Sequence, residues 1–92
     1  MSKLSDKKIQ KIQEDILSVL FQKDPHAVFA NTIAEEIARD NEFVLSLLND
    51  LHKKGLVTVV DKSNRGGSYL KRKRWTLSKS AYKAYNQLNR NL

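Results

Sequence analysis

Val44-Leu45-Ser46-Leu47-Leu48-Asn49-Asp50-Leu51-His52-Lys53-Lys54-Gly55-Leu56-Val57 is the stretch in which the hydrophobic period of this chain changes. Val44, Leu47, Leu48 and Leu51 recur at spacings of three and four, which places them on one face of a helix. The helix is expected from about Asn41 to Lys54. Lys53 and Lys54 put cations into the last turn, beside the negative end of the helix dipole. Gly55 supplies the stop, because only a residue without a Cβ enters the left-handed region at no cost. Leu56 to Val60 is then rich in β-branched residues and reads as a strand.

Upstream, Ile9, Ile12, Ile16, Val19 and Leu20 mark a first helix over Ser5 to Lys23. Ser5 is its expected cap and Asp6 suits its first turn. Pro25 ends it by pushing Asp24 out of the helical region. Val28 and Phe29 read as a short connector. A second helix of about two turns is expected to start at Asn31 or Thr32, since Thr32 and Glu35 have capping-box spacing. Ile33, Ala34, Ile37 and Ala38 would be its buried face. Asp40 and Asn41 are both good caps for the third helix.

Downstream of the strand, Asp61 to Ser68 is turn chemistry, with Gly66-Gly67 free to take positive φ at a hairpin tip. Lys71 to Leu77 alternates as a second strand. Trp75 and Leu77 would point to the core and Arg72 and Arg74 to solvent, with Lys71 and Lys73 beyond the core edge. A last helix opening at Ser78 would bury Ala81, Tyr85, Leu88 and Leu92. The expected fold is mainly α with a small β-hairpin, in the order helix, helix, helix, strand, hairpin, strand, helix. At 92 residues it is read as one domain over 1–92, with short flexible termini at 1–4 and 90–92.

Two stretches resemble the winged helix-turn-helix superfamily of transcription regulators. Residues 44–57 look like its recognition helix, which closes on a leucine, polar residues, a glycine, a leucine and an aliphatic residue. Arg74-Trp75-Thr76-Leu77-Ser78-Lys79-Ser80-Ala81 is similar to the segment that ends the family's wing and opens its last helix. Ser78 stands there for the family's threonine and Ala81 for its glycine. The resemblance covers Ser5 to Leu88 and implies duplex DNA binding. The third helix would lie in the major groove and the wing would touch the backbone or the minor groove. Turning about 100° per residue from Val44, the outward face of that helix is Glu42, Ser46, Asn49 and Lys53. Ser46 and Asn49 can read base edges, and Lys53 can reach phosphate or guanine. Phe43 and Asp50 flank the face on one side, Leu45 and His52 on the other. The arginine usual on such a helix is missing.

Charge points to the same partner. The net charge is +7, but residues 1–29, 30–52 and 53–92 carry +1, −4 and +10. Lys62, Arg65, Lys71, Arg72, Lys73 and Arg74 place six cations in the thirteen residues of the expected wing. Neutralised phosphates release counterions, so a salt-dependent affinity follows. A basic ribbon of this kind also suits a minor groove. The bland alternative is a solvated face. Lys71-Arg72-Lys73-Arg74 also has the look of a nuclear-import tetrapeptide, which its place in a strand opposes.

Other classes are poorly served. The absence of cysteine removes disulfides and thiolate zinc sites. His26 and His52 lack metal-ligand spacing. No phosphate loop and no nucleophile triad is suggested, so no enzyme, cofactor or small-molecule ligand is expected. Met1 to Asp15 lacks the apolar core of a signal peptide, and no apolar run is long enough to span a bilayer. A cytoplasmic, nucleoid-associated location is expected, or a nuclear one in a eukaryote. Two other functions stand beside DNA binding: a protein-docking winged helix using the acidic helices with Phe43 and Leu45, and RNA binding through the wing. A homodimer is expected through the first and last helices, with Tyr82, Tyr85 and Leu88 at its interface.

Overall fold

Ser5 opens the first helix in the way its side chain suggests. In the computed structural model, which describes residues 5–60 and 73–90 (for 89 and 90 the backbone only), its hydroxyl accepts the Lys8 amide at 3.2 Å. α1 runs from Asp6 to Lys23 and stops at Asp24, before Pro25. Ile12, Ile16, Val19 and Leu20 are buried along one face of it, as the three-and-four spacing requires.

Val28 and Phe29 are not a connector. They form β1 (Val28–Phe29), which pairs with a later strand. This displaces the expected start of the second helix. Phe29 is held extended by the pairing (φ −77°, ψ 152°) and becomes the cap, so α2 spans Ala30–Ile37. Thr32 falls inside the first turn, and no side chain caps the helix. The capping box is therefore not formed. Ala38, expected in the buried face, is exposed and left-handed (φ 58°, ψ 50°). It closes the helix instead: the Arg39 amide reaches back to the Ala34 carbonyl at 2.9 Å. A Cβ in that conformation costs about 1–2 kcal/mol, and the two closing bonds offset part of it.

α3 spans Asn41–Lys53, with the Asp40 carboxylate accepting the Phe43 amide at 3.1 Å. Gly55 adopts φ 80°, which lets the Leu56 amide return to the Leu51 carbonyl at 2.9 Å. That five-residue return is the Schellman closure, and it is why the chain turns directly into a strand. β2 is Val57–Val60 and β3 is Arg74–Leu77. The sheet has the order β1-β3-β2, antiparallel throughout. α4 follows over Lys79–Arg90, with the Ser78 hydroxyl accepting the Ala81 amide at 3.1 Å.

The buried residues form one cluster around Trp75, which is 1% exposed, with Ile16, Leu20, Ile33, Val44, Leu48 and Leu51. Trp75 and Leu77 do face the core, as their alternation with Arg74 and Thr76 predicts. The last helix departs from expectation. Ala81 and Tyr85 are only half-buried, and Leu88 is 61% exposed. The helix leaves the core after its first two turns, so its stripe outruns the surface that could cover it. Leu92 and Gly66-Gly67 lie outside the described residues.

Candidate nucleic-acid interface

α3 is anchored through Val44, Leu47, Leu48 and Leu51, all buried. The opposite azimuth is consequently free: Glu42, Ser46, Asn49 and Lys53 are all exposed. The Ser46 hydroxyl donates to the Phe43 carbonyl of its own helix at 2.8 Å. Its proton is thus engaged, and only its lone pairs remain to accept from a base. Asn49 and Lys53 form no side-chain hydrogen bond among the described residues, so their full donor sets face outward. Phe43 and Leu45, on the two flanks, are half-buried and packed against the core. Their apolar surface is explained by the fold itself.

Around this face the charge is negative. Glu35, Glu36, Asp40, Glu42 and Asp50 are all exposed. Glu36 pairs with Lys23 of α1 at 3.4 Å, and Asp40 is engaged as a cap. Glu42 has no such partner among the described residues and lies on the outward azimuth itself.

The basic residues begin where β3 begins. Lys73 and Arg74 are exposed. Lys62, Arg65, Lys71 and Arg72 lie outside the described residues. Arg74 is opposite Phe29 on one side and Val60 on the other, so these three side chains share the outer face of the sheet. Its guanidinium carbon lies 5.5 Å from the centroid of the Phe29 ring. Next along β3, the Thr76 hydroxyl donates to the Asp24 carboxylate at 3.4 Å, tying the end of α1 to the sheet. Trp75, pointing the other way, lies nearly perpendicular to the His52 ring, with centroids 6.3 Å apart. The last turn of α3, which carries Lys53, therefore touches the strand that carries Arg74 through this ring contact.

A third group lies apart from both. Phe21 of α1 stacks on Tyr82 and Tyr85 of α4, with centroids at 5.2 and 4.8 Å. Both tyrosines are half-buried. Leu88, one turn further, is the exposed large hydrophobic residue among those described.

No protein-family model matches the chain, and no curated protein matches it. Solved structures do. The chain is similar to MepR of Staphylococcus aureus in a MepR–DNA complex, at 22% identity and a TM-score of 0.70, covering 91% of this chain and 68% of that one. A double mutant of Lactococcus lactis ZitR in apo form matches at 19% identity and a TM-score of 0.70, over 92% of this chain and 59% of that one. The PcaV transcriptional regulator of Streptomyces coelicolor matches at 17% identity and a TM-score of 0.69, over 90% and 57%. This chain has the winged helix-turn-helix fold. It spans somewhat more than half the length of ZitR and PcaV.

In winged-helix terms, α2 and α3 form the helix-turn-helix, and β2 and β3 are the arms of the wing. Among the described residues no three His, Asp or Glu side chains gather as a metal site, and no helix is long and apolar enough to cross a membrane. Phe29 is the residue that sequence reasoning passed over. A strand of two residues has no period to detect, and its partner is remote in sequence, with Phe29 opposite Arg74, 45 positions on.

Proposed function

We propose that the chain is a transcription regulator, not an enzyme, and that it binds duplex DNA with the wing as the main source of affinity. The observation that carries this is the segregation of charge on the winged-helix fold. Residues 53–92 hold eleven of the seventeen Lys and Arg, and the two wing cations that are described, Lys73 and Arg74, are both exposed. Lys62, Arg65, Lys71 and Arg72 would add backbone or minor-groove contacts. Asn49 and Lys53 would read bases from α3, with Ser46 as an acceptor. MepR was crystallised with DNA, which supports the reading by likeness of fold.

Gel retardation of labelled duplex across a salt series tests it. Binding that weakens with a steep, linear dependence of log K on log salt is expected. Competition by structured RNA as strong as by duplex would move the function to RNA, and no retardation at low salt would leave protein docking in its place.

The same proposal includes a homodimer. Tyr82, Tyr85 and Leu88 form an apolar stripe that Phe21 covers only in part. A second copy pairing on that stripe would double the length of the DNA site. Sedimentation equilibrium decides it: a species of twice 10.6 kDa is expected, and a single species at 10.6 kDa itself rejects the dimer.

A further inference from the structure

We propose that Phe29 is a positioning residue: its ring holds the Arg74 guanidinium ready for a backbone phosphate. The proposal rests on the duplex-binding function above. Antiparallel register places Phe29 directly opposite Arg74, so both side chains rise from the same face of the sheet. The guanidinium carbon is 5.5 Å from the ring centroid, inside the distance of about 6 Å at which the ring quadrupole attracts a cation. Phe29 is half-buried, while Arg74 remains exposed. One partner is thus a fixed platform and the other faces solvent.

Chemistry makes this arrangement useful. Stacking uses the flat face of a guanidinium, whereas its N–H donors lie around the edge. A ring below the face leaves the edge available for a two-pronged contact with phosphate oxygens. Arg74 forms no ion pair among the described residues, so its charge is not neutralised within them. A free arginine must give up rotamer freedom when it meets phosphate. One already stacked has given up part of it on folding. Phe29 is also the N-cap of α2, so the guanidinium over its ring is held beside the first helix of the helix-turn-helix.

The test is a double-mutant cycle on the full chain, read by fluorescence anisotropy with a labelled random-sequence duplex at several salt concentrations. Phe29→Leu, which keeps an apolar side chain and removes the π face, is expected to weaken binding about two- to five-fold. Its salt slope should stay unchanged, because the same phosphate is still neutralised. Phe29→Tyr should bind as the wild type does. In an Arg74→Ala background, Phe29→Leu should cost clearly less than it does in the wild type. Equal losses in both backgrounds, or a failure of Phe29→Tyr to retain affinity, would overturn the proposal. Should Phe29→Leu not fold, the wild type alone decides: the side-chain methylene protons of Arg74 are expected upfield in its NMR spectrum, under the ring current of Phe29, and unshifted protons overturn the stacking. A wild-type chain that ignores duplex sinks the functional reading and this proposal together. Normal duplex binding without coupling between the two residues sinks this proposal alone.

Discussion

α3 and β3 meet at the ring contact of His52 with Trp75, yet they present opposite chemistry to solvent. α3 shows Glu42, Ser46, Asn49 and Lys53 amid exposed acids, and β3 shows Arg74 at the end of a run of cations. A polyanion approaching this surface would be drawn to the strand and held off by the N-terminal half of the helix. Position in the fold and chemical suitability are separate matters. The helix sits where the proposed function places base reading, while the cations proposed to bind phosphate are concentrated in residues 53–92.

The sharpest way to break this arrangement is to remove the side chain that joins the two elements. Trp75→Ala is expected to cost about 3–5 kcal/mol of stability, measured by urea denaturation, and to disturb the angle between α3 and the wing. A cost under about 1 kcal/mol would mean that the two elements stand independently. Trp75→Phe should cost far less than the alanine. It retains most of the packing and removes an indole N–H that has no partner among the described residues, a donor whose burial is itself unfavourable.

Next in size is the wing. Arg72→Ala combined with Arg74→Ala should lower the slope of log K against log salt by about 1.8, two phosphates at about 0.9 each, which is roughly 60-fold at 0.1 M salt against a 1 M reference. The loss should be the same on every sequence. An unchanged slope would show that these residues do not touch the backbone.

The helix comes third, and its effect should differ in kind. Asn49→Ala is expected to cost about 1–3 kcal/mol on a preferred site and little on random duplex. Equal losses on both would leave α3 without a reading role and place all recognition in the wing.

Smallest is the charge that opposes docking. Glu42→Gln should raise affinity about two-fold by removing an exposed like charge, an effect erased at high salt. The same change should lower thermal stability slightly, because Glu42 lies in the first turn of α3, where a carboxylate favours the helix dipole. Affinity that falls instead would show that Glu42 makes a direct contact.

Much of this molecule follows from its sequence alone. The stripes Ile12-Ile16-Val19-Leu20 and Val44-Leu47-Leu48-Leu51 name the buried faces of α1 and α3, because a helix with one apolar side has one way to face a core. Ser5, Asp40, Ser78 and Gly55 mark the element ends through local hydrogen bonds and local φ, which need no distant partner. The outward azimuth of α3 follows from the inward one by geometry. Tertiary structure decided what depends on residues remote in sequence. β1 exists because Val28 and Phe29 meet Trp75 and Arg74, and two residues carry no periodic signal of that pairing. The start of α2 then moved to Ala30, since ladder pairing outweighed the capping box that Thr32 and Glu35 spell out. Ala38 turned from a buried position into a left-handed stop because the chain had to reverse there into α3. Leu88 shares the helical spacing of Ala81 and Tyr85, and only the extent of the core beneath α4 determined that it is exposed: periodicity says which side of a helix is apolar, but not how far the surface that covers it extends.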